Sequence, residues 1–426
     1  MVTKRLVMGM MLALTAGTGH SETLLDVYNL AIDNDPQFKG AQASLKAAQE
    51  ALPQSRASFL PSLDFSASHT ENSKKEIDAY ESYSLTLRQP LYRKDNFVER
   101  NVAESTVSQA EAVYTAAEQA LIVDVADGYF GALSALDRLE FANAEKEADA
   151  RQLEQTKQRF DVGLVAITDV HESQAAYDLS VAQAIAAQND VDNSYERLRE
   201  ITGKYIESFA LLGDAMPLLT PEPADLKQWT DTALSQNPTL KASEESTQQA
   251  RENISRQRSD NHPTLDFVVN YTNSSSVFAS NQGTDDNTTA SLQLGMNLFR
   301  GGATNSAIRQ AREQYNQSQQ ALEEQRRATQ REVRNAYRGV LSGISRVQAL
   351  RQAVVSNQSA LRAAEAGYEV GTRTTVDVLN ARRNLFGAQR DYAQARYDYL
   401  LNTLRLKQAA GTLQAEDIRL INAWLK

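Results

Sequence analysis

The chain has 426 residues, 42% of them hydrophobic, with a mean hydropathy of −0.48 and a formal charge of −10. Past its first residues no apolar run approaches the roughly 18 to 20 that a spanning helix needs, so a lipid-embedded helical bundle is excluded. The acidic balance removes the basic face a nucleic-acid binder requires, and the absence of cysteine removes disulfide scaffolds, thiolate metal sites and cysteine nucleophiles.

Lys4 and Arg5 precede a short apolar stretch from Leu6 to Ala16, and small residues follow through Gly17, Gly19 and Ser21. This is the pattern of a secretory signal peptide, expected over residues 1–21 with cleavage near Ser21. A helical opening is expected next, from Leu24 to about Leu52, ending before a proline. Then come two alternating segments in a hairpin expected over about 62–92, with Leu63, Phe65 and Ala67 on one face of the first and Tyr83, Leu85 and Leu87 on one face of the second. Period-two alternation is the strand signature. The polar stretch Asn72 to Tyr80 reads as the hairpin loop.

No proline lies between Pro90 and Pro217. In that region Val107, Ala110, Tyr114, Ala117, Leu121 and Val125 recur at three- and four-residue steps, the spacing of a coiled coil. A helix from Asp95 to Phe160 would reach about 100 Å. It is expected to stop at Gly163, in the left-handed conformation that closes helices. After a tight turn over about 161–168, Thr168 is expected to cap a returning helix with Asp169 in its first turn.

The plan is then written again. Phe59-Leu60-Pro61-Ser62-Leu63-Asp64-Phe65 recurs as Asn261-His262-Pro263-Thr264-Leu265-Asp266-Phe267, and Asn34-Asp35-Pro36 as Gln236-Asn237-Pro238. Phe160-Asp161-Val162-Gly163 returns as Tyr368-Glu369-Val370-Gly371, and Leu198 to Gly203 is echoed by Leu406 to Gly411. The order is kept at a shift too long for a solenoid unit. The chain therefore divides into a first repeat over 22–213, a linker over 214–224, a second repeat over 225–413 and a C-terminal segment over 414–426. The second repeat carries a helical opening from Leu226 to about Arg258, a hairpin over about 264–299 with a loop from Asn273 to Asn287, and a long helix seamed by Val333, Tyr337, Val340, Ile344 and Val347. Its turn, over about 370–376, has Gly371 as the stop, Thr374 or Thr375 as the cap and Asp377 in the next first turn.

One face of the alternating strands is apolar and the other polar (Asp64, Ser66, Ser68; Ser84, Thr86, Arg88; Asp266, Asn270, Thr272). Taken alone this suits a half-buried soluble sheet. A leader, long helices and strands of about ten residues turn the preference toward a membrane barrel with a wet lumen. Four strands cannot close a barrel and open edges are not tolerated in hydrocarbon, so several copies must contribute. Dimer, trimer and tetramer remain open on these grounds.

The stretch Phe160-Asp161-Val162-Gly163-Leu164-Val165-Ala166-Ile167-Thr168-Asp169-Val170 resembles the first helical turn of the TolC outer-membrane efflux family. Ala366-Gly367-Tyr368-Glu369-Val370-Gly371-Thr372-Arg373-Thr374-Thr375-Val376-Asp377-Val378-Leu379 resembles its second, and Pro263-Thr264-Leu265-Asp266-Phe267 resembles the approach to its second hairpin. The resemblance covers essentially the whole chain after the leader. It implies a mixed α and β membrane protein, a homotrimer with a twelve-stranded barrel and a periplasmic tunnel, the segment 414–426 lying at the tunnel's equator. It further implies the outer membrane of a Gram-negative bacterium, a periplasmic adaptor protein and an inner-membrane pump of RND or ABC type, in efflux, type I secretion or both.

The same resemblance places a gate at the two turns. Asp169 would pair with Tyr368, Arg373 would reach Thr168 of a neighbouring copy, and Gln152 and Glu365 match polar positions nearby. Asp377 matches an aspartate ringing the constriction, while the family's second aspartate position is Asn380 here, which weakens a cation ring. Helix capping is the plain alternative for these residues.

An enzyme is not expected: His20, His69, His171 and His262 are scattered without metal-ligand spacing, no nucleophile elbow or phosphate loop is present, and no cofactor or metal is required. A secreted coiled-coil scaffold or adhesin without a pore would explain the helices but not two hairpins at equivalent places in a duplicated chain.

Overall fold

The computed structural model describes residues 21–72, 78–206, 208–213, 216–278 and 281–426. The leader expected at 1–21 lies outside them, Ser21 aside, as do parts of the expected hairpin loops and of the linker.

The first repeat opens with α1 (Leu24–Asn34), α2 (Pro36–Gln49) and α3 (Ala51–Ala57), three pieces where a single helix was expected. The break lies at Asp35. Its carboxylate accepts from Phe38 N at 2.6 Å, and Pro36, which has no N–H to leave unpaired, starts α2. Pro53 falls in the first turn of α3, where a missing donor is harmless. The second repeat is built alike, with α6 (Leu226–Gln236) ending at Asn237 and α7 (Pro238–Ser259) capped by Asn237 through Leu240 N at 2.9 Å.

Four antiparallel strands, β1 (Ser62–Asn72), β2 (Asp78–Tyr92), β3 (Thr264–Phe278) and β4 (Asn281–Gly295), form one sheet in the order β1-β2-β3-β4. The alternation sets the register: Leu63 faces Leu87, Phe65 faces Leu85 and Phe267 faces Leu292. The apolar face has no cover in one chain, with Leu63, Phe65, Leu292 and Leu294 between 63% and 74% exposed. Each outer strand also has one unpaired edge.

The loop expected from Asn273 to Asn287 is corrected by the structure. Its residues continue the ladder, Asn273 pairing with Asp286 and Phe278 with Asn281, so that β3 and β4 span 15 residues each. Serine, threonine and asparagine there signalled turns, yet their backbone pairs as well as any other once a hairpin is in register. At the other end β4 stops at Gly295, short of the expected 299.

Two very long helices leave the sheet. α4 (Lys94–Asp161, 68 residues) returns as α5 (Ile167–Thr202), and α8 (Ala303–Glu369, 67 residues) returns as α9 (Thr375–Ala410). Each long helix packs on its return, and α4 also packs on α9, joining the two repeats. The α4–α5 seam is narrow, since Gly128 lies where a Cβ would stand 2.8 Å from Leu198 Cδ2.

Midway along these helices the slab thickens into the main core. Tyr129, Phe130, Leu133, Leu198, Leu400 and Leu404 are almost fully buried there, and Phe130 stacks on Tyr397 at 5.7 Å. Tyr129 Oη donates to the carbonyls of Glu22 and Ala210, tying the start of the chain to the stretch after α5. The last helix, α10 (Ala415–Asn422), closes the waist: Asn422 Oδ1 accepts from Leu25 N at 3.2 Å, and Leu425 bridges Leu212. Among the described residues no helix is long and apolar enough to cross a membrane.

Candidate functional site

The two hairpin turns are built from the same local chemistry. In the first, Leu164 N donates to Arg159 O at 2.8 Å and Gly163 N to Phe160 O at 2.8 Å; in the second, Thr372 N donates to Gly367 O at 2.8 Å and Gly371 N to Tyr368 O at 3.2 Å. Both patterns satisfy the last carbonyls of a helix through a left-handed residue. Gly163 has φ +77° and Gly371 φ +78°, and a Cβ at either position would meet nothing within 4 Å, so backbone conformation and not crowding demands glycine.

The restarts differ. Thr374 caps α9 in a full box: Thr374 N donates to Asp377 Oδ2 at 2.9 Å and Asp377 N to Thr374 Oγ1 at 3.2 Å. The bond from Thr374 N foremost, and a second that Thr374 Oγ1 donates to the same Oδ2 at 2.9 Å, hold the Asp377 carboxyl below the usual carboxylate range, with Arg373 helping at 3.8 Å. In α5 the expected Thr168 cap is corrected: the capping position is Ala166, and Thr168 lies one residue inside the helix. Asp169 Oδ2 still accepts from Ala166 N at 3.1 Å, but alanine has no side-chain oxygen to answer.

Above the turns, the ends of α4, α8 and α9 enclose an open cavity of about 820 Å³. Gln152 comes from α4, Glu365 and Tyr368 from α8, and Arg382 from α9. Three of the residues expected at a gate thus share one cavity. Gln152 is buried in the α4–α5 seam, where its Nε2 donates to Thr156 Oγ1 at 3.4 Å and Ser173 joins at 3.3 Å. The Tyr368 ring lies under the Arg159 guanidinium, 4.7 Å from its centroid, and its hydroxyl accepts from Thr375 Oγ1 at 3.4 Å. Among the described residues of this one chain, no hydrogen bond joins Asp169 to Tyr368. Thr168 and Arg373 stand exposed beside the turns.

Sequence reasoning missed the residue that ties this region together. Arg382 Nη1 donates to Ala148 O at 3.2 Å and lies 3.7 Å from Asp149 Oδ1, while its Nη2 reaches Glu365 Oε1 at 3.4 Å. One guanidinium on α9 therefore holds both long helices. The Arg382 side chain is 12% exposed and that of Asp149 9%. Burial pushes the Asp149 carboxyl up, against the lowering pull of Arg382 and Arg383 and a hydrogen bond from Ser180. One turn away, burial also raises Glu145, opposed chiefly by Arg390. Only the pairing of helices far apart in the chain brings these groups together, and no local spacing signals it.

An amphipathic sheet with open edges, set on two long helical hairpins, defines an outer-membrane channel subunit. The chain belongs to the outer membrane efflux protein family, which it matches over residues 27–204 and 229–412. It is 41% identical over 416 residues to the outer membrane protein TolC of Vibrio cholerae, covering 95% of this chain and 94% of that one. It is 31% identical to the alkaline protease secretion protein AprF of Pseudomonas aeruginosa, covering 94% and 86%. The fold matches the crystal structure of the outer membrane protein VceC of Vibrio cholerae with a TM-score of 0.77 at 19% identity, covering 91% and 96%. The resemblance read from the two turns is thereby borne out. The chain is an outer-membrane channel of the efflux and type I secretion class, with a long periplasmic portion.

Proposed function

We propose that three copies close a twelve-stranded barrel over a helical tunnel and form a passive, gated exit duct with no enzymatic step. The observation that carries this reading is the four-stranded sheet with an uncovered apolar face and two unpaired edges. Such a sheet is stable in hydrocarbon only when its edges are paired by further strands. The chain supplies four, and three copies supply the twelve expected of the family.

The gate is the ring of hairpin tips. In the closed assembly Asp169 pairs with Tyr368 and Arg373 reaches Thr168 of the next copy, with Gln152 and Glu365 as polar groups near the gate. Charge-assisted bonds of this kind contribute about 1 to 3 kcal/mol each when partly buried. The cation ring is weak: one Asp377 oxygen is held by its own helix cap, and the position one turn on is Asn380. A periplasmic adaptor opens the tips and links the duct to an inner-membrane pump of RND or ABC type, which selects the cargo.

Deletion of the gene, followed by drug-sensitivity and secretion profiling with crosslinking to the pump, tests the reading. Loss of efflux or of an exported protein is expected. A deletion strain unchanged in both would refute it.

A further inference from the structure

At the waist, beside the main core, lies a cavity of about 390 Å³. Leu400 and Leu404 of α9 form its floor, and Trp229 of α6 and Trp424 after α10 stand among its walls. Its lip is the stretch 219–222 together with Leu420. Leu219 is 59% exposed and Leu420 54%, so an apolar entrance faces water. The entrance is also fastened in place. Tyr399 Oη accepts from Leu219 N at 2.8 Å and donates to Leu219 O at 3.0 Å, and Trp229 Nε1 donates to Pro223 O at 2.8 Å. A preformed hollow of this volume, mostly apolar with a few polar groups, has the form of a small-molecule site. Leu404 lies about 44 Å along α9 from Thr375 at the turn, well away from the gate.

The polar groups decide which ligand fits. The hydroxyls of Tyr399 and Thr403 and the Trp229 indole already donate within the chain, Thr403 Oγ1 to Tyr399 O at 3.0 Å. Lys407 Nζ closes on Asp417 Oδ1, and the other Asp417 oxygen accepts from Gln414 N at 3.0 Å. Of the charged lining residues, Glu222 has no hydrogen bond or ion pair among the described residues, and it is exposed on the lip.

Because Lys407 and Asp417 cancel, Glu222 leaves the lining with one negative charge to spare. An anion entering here would meet that carboxylate at the entrance and a lysine already engaged inside. A cation would meet an unpaired carboxylate together with the aromatic rings of Trp229, Tyr399 and Trp424, which attract positive charge through their faces.

We propose that this cavity binds small organic cations, the apolar body seated against Trp229, Trp424 and Leu404 and the charged group held at the lip by Glu222. The site is built within one chain, from the stretch after the first repeat and from α6, α8, α9 and α10. It therefore stands or falls independently of the ring and its gate.

The chain has two tryptophans and both line the cavity, so its intrinsic fluorescence reports on this place. N-benzylpyridinium, a cation that quenches indole on contact, is titrated into the full-length protein in a neutral detergent. Saturable quenching is expected, relieved by competition with benzyltrimethylammonium and not by benzenesulfonate. Glu222→Gln, at an exposed position, is expected to weaken binding about fivefold while leaving the quenching at saturation unchanged. Thr403→Met, which fills the cavity from α9, is expected to remove the saturable part. Quenching that rises without saturation, equally in the parent and in Glu222→Gln, overturns the site. Relief by benzenesulfonate as readily as by benzyltrimethylammonium overturns the preference for cations. Emission that neither N-benzylpyridinium nor acrylamide quenches shows the cavity covered in the assembled protein and overturns the proposal as well.

Discussion

Arg382→Met tests whether the tie above the turns holds the tunnel tip closed. The substitution keeps most of the side chain's bulk and removes the bonds to Ala148 O, Asp149 and Glu365. The Glu365 arm matters least, because that carboxylate is 44% exposed and such a pair contributes under about 1 kcal/mol. Asp149 is left buried with Ser180 and the more distant Arg383. Breaking a buried pair from one side costs about 3 to 5 kcal/mol, which those remaining partners reduce to about 2 to 3 kcal/mol per copy. At 1.4 kcal/mol per factor of ten, that shifts the local closed-to-open ratio roughly 30- to 150-fold. Single-channel recording in planar bilayers should show longer open dwells or higher conductance. Arg383→Met, one residue on and exposed, should leave the record close to the parent's. Parental dwell times and conductance in Arg382→Met would refute the latch.

The two turns should respond differently to matched changes. Thr374→Ala removes a full capping box and should destabilise the start of α9 by about 1 kcal/mol, read as faster amide exchange there, whereas Thr168→Ala, inside its helix, should change exchange little. Gly371→Ala forces alanine to φ +78° and should cost about 1 to 2 kcal/mol, loosening the tip without altering the waist. On α4, burial raises the carboxyls of Asp124, Asp137, Glu145 and Asp149. A carboxyl with a raised folded pKa binds its proton more tightly in the folded chain. Its stabilising contribution is present at acidic pH and falls away as pH rises through that window. The melting temperature should therefore rise on going from neutral pH to just above the ordinary carboxylate range; a fall over that interval would contradict the assignment. Asp377, whose pKa is lowered, acts oppositely: its cap is lost only as pH drops below the ordinary range.

The duplicated plan was legible because its marks are local. Glycine stops, apolar seams at three- and four-residue steps and alternating strands each depend on neighbours within a turn or two. Misreadings arose where one residue type serves two purposes. Serine, threonine and asparagine near the hairpin ends suggested loops, but those stretches pair as strand to Phe278 and Asn281. Asp35-Pro36 was visible as a repeated motif, yet its role as a helix break needed the bond from Phe38 N. Thr168 has a capping residue's chemistry two positions too late, since the turn leaves Ala166 at the boundary. Of the cavity, Gln152, Glu365 and Tyr368 were reached through resemblance to a family. Arg382 lies 233 positions from its partner Asp149, and only the packing of α9 on α4 creates that pair.

The four strands cannot be shielded from lipid within one chain, and every functional conclusion follows from that. Native mass measurement of the detergent-extracted protein, coupled to conductance of the same preparation in a planar bilayer, tests this most directly. Three copies and a steady ion current are predicted. A monomer that stays soluble without detergent and passes no current would contradict it.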